Sequence, residues 1–194
     1  MVSRLPAARR RRQLLDVALD VFAQKGFHQT SMEEVADAAG VTKPVLYQHF
    51  GSKRELYLEL LDDVGGQMMT AIAKAVAQAR GPHKQVEAGF AAYFRFVAEH
   101  EDAFKLLFGS GTRRDQEFAD AVRHVENTIA EELARLIEAD IDSDHRHLLA
   151  HGLIGLAEGA SRYWVANGRH IDVERLSRRM AQMTWAGLRG VSRD

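Results

Sequence analysis

The sequence predicts an all-α fold, with a small three-helix head at the N-terminus and a larger helical body behind it. Apolar residues recur at helical spacing in the long segments, and no segment shows the alternating pattern of a strand. The 194 residues include 3 prolines, so long uninterrupted helices are possible. Glycines at positions 26, 40, 51 and 81 separate the apolar segments, as residues at helix ends do.

The head begins with two predicted helices. The first runs from Arg9 to Lys25 with its apolar residues on one side, and Gly26 ends it. The second begins after Ser31, which is placed to form a capping box with Glu34, because each can satisfy the other's free backbone amide.

A third and a fourth helix follow. We expect Thr42 to cap the third, which runs to about Phe50 and has Pro44 in its first turn, where a helix needs no backbone donor. Ser52 is the predicted cap of the fourth, which extends to about Arg80.

Gly81-Pro82 is the next boundary, and the remaining chain is predicted to be helical. Its helices are expected at residues 83–100, 102–108, 113–139, 143–166 and 172–189, with a flexible break at 109–111. We expect two domains, at residues 1–55 and 56–194.

Charge is distributed unevenly between these two parts. Residues 1–54 hold 9 Lys and Arg against 5 acidic residues, a net of +4, which leaves −5 for the rest of a chain whose net charge is −1. A basic head on an acidic body is typical of a DNA-reading module attached to a body that does not touch DNA. The basic run Arg9–Arg12 is a candidate for tracking the DNA backbone, or alternatively a solvated tail.

Several classes of protein are disfavoured by composition. The chain has no cysteine, which excludes disulfides and thiolate zinc sites and suits the cytoplasm. No apolar run has the roughly 18 residues that span a bilayer, so no membrane partner is expected. We find no phosphate-binding loop, nucleophile elbow or HExxH pair, and therefore expect neither an enzyme nor a cofactor.

Residues 31–50, SMEEVADAAGVTKPVLYQHF, carry the functional prediction. Two short helices flank a turn at Gly40, and Ala36 and Ala39 are small enough to let the helices cross closely. The third helix then presents polar residues outward, in a form that fits the DNA major groove.

This head resembles the TetR family of repressors. The resemblance rests on Gly26, Thr30-Ser31, Val35-Ala36, Ala39-Gly40-Val41-Thr42, Leu46-Tyr47, Phe50, Ser52-Lys53 and Leu56. It implies a ligand-responsive regulator that binds double-stranded operator DNA as a homodimer. It further implies phosphate contacts by Thr30, Tyr47, His49 and Lys53, and contacts to bases by Thr42, Lys43, Pro44 and Gln48. Pro44 departs from the small residue that the family often has, and it offers an apolar contact instead.

The predicted dimer interface lies on the last two helices. Gly152, Gly155 and Gly159 cluster near one helix face, where close approach of a second helix would compensate for their low helix propensity. Ala181, Met183, Thr184, Trp185 and Gly187 would act similarly in the last helix, in a pairing that resembles the four-helix interface of TetR dimers. The alternative is packing within one chain.

An aromatic-rich group of residues is the candidate effector site. It comprises Phe90, Tyr93, Phe94, Val97, Phe104, Leu107, Phe108 and Trp164. These residues are either ordinary core or the lining of a tunnel for an apolar effector.

A narrower resemblance favours the tunnel. The stretches Arg4-Leu5-Pro6, residues 43–50, Glu55-Leu56-Tyr57-Leu58 and Arg162-Tyr163-Trp164 are similar to bacterial regulators of fatty-acid synthase genes. That resemblance implies a long-chain acyl-CoA effector, with Arg95, Lys105, Arg113 or Arg114 near its phosphates.

A metal site and two other functions are alternatives to a DNA-binding regulator. His145, His147 and His151 suggest a metal site, and His147 and His151 are spaced to share an ion. No Glu lies within the same turn to complete the set, so a solvated or hydrogen-bonded role is favoured and no metal is expected. The alternatives to a regulator are a helical adaptor whose head binds protein, and an enzyme acting on acyl thioesters.

Overall fold

A computed structural model describes residues 6–109, 112, 114–137 and 139–191, so the predictions for Arg4, Leu5 and Arg113 lie outside it. The described residues contain helices and no strand, which confirms the predicted all-α class. The helices are α1 (Ala7–Gln29), α2 (Met32–Ala38), α3 (Lys43–His49), α4 (Lys53–Gln78), α5 (Pro82–Glu99), α6 (Glu101–Phe108), α7 (Gln116–Leu136), α8 (Ser143–Ala166) and α9 (Val173–Leu188).

The helix-turn-helix forms as the local sequence signals predict. The capping box before α2 is present: the Glu34 amide donates to Ser31 Oγ at 3.2 Å, and the Ser31 amide donates to the Glu34 carboxylate at 2.8 Å. Gly40 adopts a φ of +63°, which turns the chain from α2 into α3 and favours glycine. The predicted cap of α4 is also confirmed, because Ser52 Oγ accepts the Glu55 amide at 3.0 Å.

Two details differ from the predicted head. α1 continues to Gln29, although Gly26 interrupts it with a φ of +75°. Thr42 occupies the N-cap position of α3, but its hydroxyl accepts no bond from the helix. The Thr42 side chain is exposed and remains available to another molecule.

The chain divides into two compact units. The first contains residues up to Val64 together with 102–122, and the second contains 65–101 and the residues from Arg123 onward. The first unit thus extends beyond the predicted domain 1–55 and includes α6 with the start of α7. The functional division at residue 55 stays a prediction.

The core of the first unit joins the helix-turn-helix to α4. Leu14, Val35, Leu46, Phe50 and Leu61 are fully buried there. Aromatic rings continue this core: the Tyr57 ring lies 5.0 Å from that of Phe22, 5.1 Å from that of Phe27 and 4.5 Å from that of Phe118.

In the second unit, α5 packs against α9 and α8. The buried ring of Phe94 contacts that of Trp164 edge-on at 6.4 Å, and the Trp164 indole donates to the Ile171 carbonyl at 2.7 Å. A separate cluster joins α7 to α8 through Ala130, Ala134 and Ala150. No helix in the described ranges is long and apolar enough to cross a membrane.

Candidate nucleic-acid interface

One face of α3 is exposed and, together with its N-cap residue, carries the predicted base-reading residues. Thr42, Lys43, Pro44 and Gln48 are exposed, whereas Leu46 on the opposite face is fully buried. The Val41 amide donates to the Ala36 carbonyl at 3.0 Å, and this bond fixes the turn between α2 and α3. The Leu46 amide donates to the Thr42 carbonyl at 3.2 Å, and this bond fixes the start of α3. The core therefore holds α3 from one side and leaves the other side to solvent.

Two of the predicted phosphate contacts occupy suitable positions. Tyr47 is 44% exposed, so its hydroxyl is accessible from solvent. His49, the last residue of α3, is half-buried beside the buried ring of Phe50. Both lie on α3 near the exposed face, so a DNA backbone bound there could reach them.

The other two predicted phosphate contacts, Thr30 and Lys53, bond to backbone carbonyls of the protein itself. Thr30 is 2% exposed, and its hydroxyl donates to the Gly26 carbonyl at 2.9 Å. The Lys53 ammonium donates to the carbonyls of Phe27 and Thr30, each at 2.8 Å, and lies 4.4 Å from the centre of the Phe27 ring. In the free protein Lys53 therefore ties the start of α4 to the end of α1.

Arg11 holds the end of the recognition helix, a role that sequence reasoning missed. Its guanidinium donates to the His49 carbonyl at 2.5 Å, lies 4.4 Å from the centre of the Phe50 ring and pairs with Glu59 of α4. These partners lie 38 and 48 residues along the chain, so no local pattern signals them.

The basic run containing Arg11 is therefore divided in its roles. Arg12 pairs with Asp16 at 2.5 Å and with Asp63 at 2.6 Å, and Arg10 donates to Gln13 at 2.6 Å. Arg9 is exposed. In the free protein Arg11 and Arg12 contact carboxylates of the protein itself, and tracking of DNA by the run stays a prediction.

The Lys25 ammonium and the capping box act together on Glu34. Its carboxylate accepts from Lys25 at 2.5 Å and from the Ser31 amide, which together lower the pKa of Glu34 to about 2. A carboxylate at this helix start also interacts favourably with the helix dipole. The ion pair connects α2 to α1 and so fixes the helix that supports α3.

The start of α4 is also bonded to the 112–118 segment of the first unit. Arg54 makes a two-pronged contact with Asp115 at 2.7 and 2.9 Å, which lowers the pKa of that carboxyl, and it also pairs with Glu117. The buried Tyr57 hydroxyl lies 2.8 Å from Thr112 Oγ1, which donates to the Leu106 carbonyl at 2.6 Å. Burial raises the pKa of Tyr57.

The predicted effector residues are all buried, but they fall in different units. Phe90, Tyr93, Phe94, Val97 and Trp164 belong to the second unit, whereas Phe104, Leu107 and Phe108 belong to the first. In the second unit, the ring of Phe94 lies 5.2 Å from that of Tyr93 and 6.1 Å from that of Phe90. That unit therefore contains a continuous aromatic interior.

Two of the cations predicted near an effector phosphate have partners within the chain. Arg95 pairs with Glu174 at 3.2 Å, and Lys105 pairs with Asp102 at 3.8 Å. Arg114 is exposed.

The glycine face of α8 is open in the single chain. Gly152 and Gly155 are exposed and Gly159 is half-buried, and a Cβ at any of them would meet nothing within 4 Å. Leu148 on the same helix is 70% exposed and Met183 on α9 is 53% exposed.

The last helix matches the predicted interface only in part. Met183 and Gly187 are exposed, whereas Trp185 is half-buried against the His83 ring at 4.9 Å. Ala181 and Thr184 are buried within the chain. The expectation that these two residues line a dimer interface is therefore wrong for this packing.

Comparison with known proteins agrees with this geometry. Residues 14–60 match the N-terminal domain described as "Bacterial regulatory proteins, tetR family", and residues 82–187 match a "Tetracyclin repressor-like, C-terminal domain". The chain is 32% identical to the HTH-type transcriptional activator FasR of Mycolicibacterium smegmatis over 188 residues, covering 96% of this chain and 86% of the relative.

Two solved structures illustrate the likeness in fold. A TetR-like transcriptional regulator from Rhodococcus sp. RHA1 has a TM-score of 0.79 at 32% identity, covering 97% of this chain and all of the other. The transcriptional regulator FadR from Bacillus subtilis, solved in complex with stearoyl-CoA, has a TM-score of 0.78 at 18% identity, covering 91% of this chain and 98% of the other.

Proposed function

This chain belongs to the tetR family of bacterial regulatory proteins and is a transcription regulator rather than an enzyme, and we propose that it binds operator DNA as a homodimer whose affinity is controlled by a long-chain acyl-CoA. The single observation that carries the DNA-binding proposal is the exposed face of α3. A helix presented in this way fits the major groove, and two-fold symmetry would place two copies about one DNA turn apart.

Within this proposal, the exposed residues of α3 divide by their chemistry. Thr42, Lys43 and Gln48 supply hydrogen-bonding groups for base edges, and Pro44 supplies an apolar contact such as a thymine methyl group. Tyr47 and His49 supply phosphate contacts. Thr30 and Lys53 hold the end of α1 to the start of α4 in the free protein, and the Lys53 ammonium, which uses two of its three donors on carbonyls, has a third for a phosphate.

Dimerisation is assigned to the open face of α8 with the exposed part of α9. An apolar, glycine-bearing helix face allows two backbones to approach closely, which compensates for the low helix propensity of Gly152 and Gly155. The exposed Leu148 and Met183 would be buried by the second copy. Trp185 would lie at the edge of such an interface.

An acyl-CoA is proposed as the effector from three lines of support. The second unit has an aromatic interior suited to an acyl chain. The sequence resembles regulators of fatty-acid synthase genes in several segments. The Bacillus subtilis FadR, which shares the fold, was solved with stearoyl-CoA. The contribution of Phe104, Leu107 and Phe108 stays a prediction.

The proposal is tested by measuring DNA affinity with and without stearoyl-CoA. Genomic footprinting supplies the operator, and fluorescence anisotropy measures its affinity over a salt titration. We expect a steep fall of log K with log salt, from release of counterions at the phosphates, and a change of affinity on adding stearoyl-CoA. Phe94→Ala should blunt that change more than it weakens binding without ligand. A protein that binds no genomic fragment in either ligand state would overturn the DNA assignment.

A further inference from the structure

The aromatic interior of the second unit contains a polar corner formed by Tyr93 and Ser161. Tyr93 lies on α5 and Ser161 on α8, and they are 8% and 0% exposed. Neither hydroxyl oxygen has a hydrogen-bond partner. Buried hydroxyl groups in folded proteins are almost always paired, so two unpaired ones in the same interior require an explanation.

The two hydroxyls are neighbours, but they do not satisfy one another. The Ser161 hydroxyl is close enough to the phenol to lower its pKa, whereas burial raises that pKa by more. The contact between the two oxygens does not meet the distance and angles of a regular hydrogen bond. Both oxygens can therefore donate to a third group placed between them, since each hydroxyl carries one donor.

The surroundings restrict what that third group can be. Glu158, one helical turn before Arg162, is 7% exposed and accepts from the Arg162 guanidinium at 2.6 Å. The negative charge of Glu158 raises the pKa of Tyr93, and the positive charge of Arg162 lowers it. A free carboxylate in this corner would be repelled by Glu158, whereas an uncharged carbonyl oxygen could accept from both hydroxyls.

We propose that Tyr93 and Ser161 donate hydrogen bonds to the carbonyl oxygen of an acyl thioester, so that the second unit selects an acyl-CoA over an alkyl chain of equal length or a free fatty acid. This inference rests on the proposed acyl-CoA function and adds the recognition of its carbonyl group. The aromatic rings around Phe94 bind the hydrocarbon, and the polar corner distinguishes the head of the chain.

The experiment compares three probes on the full-length protein. Stearoyl-CoA carries the thioester carbonyl, S-octadecyl-CoA is the thioether that lacks it, and stearate carries a charged carboxylate. Isothermal titration calorimetry should show stearoyl-CoA binding about tenfold tighter than the thioether, the value expected for two modest hydrogen bonds. Stearate should bind more weakly than stearoyl-CoA.

The variants Tyr93→Phe and Ser161→Ala remove the two hydroxyls with little change of shape. Each should reduce the preference for stearoyl-CoA over the thioether, and the double variant should reduce it to about onefold while leaving thioether affinity unchanged. Thr184→Val is the matched control, because Thr184 also has a buried hydroxyl without a partner. It should leave the preference intact.

The possible negative results distinguish the polar-corner proposal from the proposed effector class. Equal binding of thioester and thioether to the wild type, a preference that survives in the double variant, or an equal loss in Thr184→Val would overturn the polar-corner proposal alone. Absence of binding by both CoA probes would overturn the proposed effector class, and this inference with it.

Discussion

Replacing Arg11 by glutamine tests whether the recognition helix is held in place from within the protein. The substitution removes the bond to the His49 carbonyl, the contact with the Phe50 ring and the pair with Glu59. The pair with Glu59 is more than a third exposed on the arginine side, so it contributes at most about 1 kcal/mol. The ring contact contributes about 0.5–1 kcal/mol, and the carbonyl bond, partly exposed to water, about 1 kcal/mol.

These contributions are not additive, and we expect a combined loss of about 1–2 kcal/mol in the preference of α3 for its observed position. If α3 binds the operator only in its observed position, the apparent affinity for the operator falls in proportion to the fraction of molecules in which α3 holds that position. We therefore expect Arg11→Gln to weaken operator binding by up to about 5–30-fold, the full factor being reached when the observed position of α3 is only marginally preferred in the wild type.

The assay is fluorescence anisotropy with the operator and with a scrambled duplex, each over a salt titration. Loss of positioning should weaken operator binding more than scrambled binding and leave the salt slope unchanged. Loss of a phosphate contact should weaken both duplexes alike and reduce the slope by about 0.9. Arg9→Gln is the matched control, because Arg9 lies exposed on the same helix. Any effect of Arg9→Gln should be that of a lost phosphate contact, with both duplexes weakened alike. A slope reduction of about 0.9 in Arg11→Gln, or unchanged operator affinity, would refute the positioning role.

Tyr47→Phe should weaken binding to operator and scrambled duplexes by a similar factor of a few, measured by anisotropy, and should leave the dimer intact; unchanged affinity would remove Tyr47 from the phosphate contacts. Gly155→Glu should give a folded monomer by light scattering with a helical circular dichroism spectrum, because a side chain there meets nothing within the chain; a dimer that persists would place the interface elsewhere. Glu34→Gln should destabilise the protein at pH 7 but not at pH 2, by urea unfolding, because the folded-state pKa of about 2 lies below the ordinary 4.5 and the stability from Glu34 is lost as the pH falls between them; an equal difference at both pH values would contradict the role of its charge.

The helix-turn-helix was predictable because its determinants are local. The capping box joins Ser31 to a residue three positions away, and Gly40 supplies the positive φ that the turn requires. Leu46 and Gln48 fall on opposite faces of α3 by helical periodicity alone. Signals of this kind act within one or two turns of chain, so the sequence is sufficient to reveal them.

The support for that helix was not predictable, because it depends on contacts between distant segments. The sequence predicts that Arg11 and Lys53 are available to DNA, and in the structure of the free protein both donate to backbone carbonyls. A lysine or arginine carries the same charge whether it meets a phosphate or a carbonyl, and only the packing of α1 against α4 decides which is near. The burial of Ala181 and Thr184 within the chain was not predictable for a similar reason, because the sequence shows that a residue is small but not which neighbour its helix face meets.

The membership of residues 102–122 in the first unit bears on how an effector could act on DNA binding. If Phe104, Leu107 and Phe108 contact the effector as the sequence predicts, then these contacts lie in the same compact unit as α3. Within that unit, the Leu106 carbonyl is joined through Thr112 to the Tyr57 hydroxyl, and the Tyr57 ring contacts those of Phe22 and Phe27. A hundredfold change in DNA affinity requires about 2.7 kcal/mol of coupling. One buried hydrogen bond of about 1 kcal/mol and two aromatic contacts of about 0.5–1.5 kcal/mol each are of that size, so a shift of α6 that disturbs Tyr57 is energetically sufficient for control.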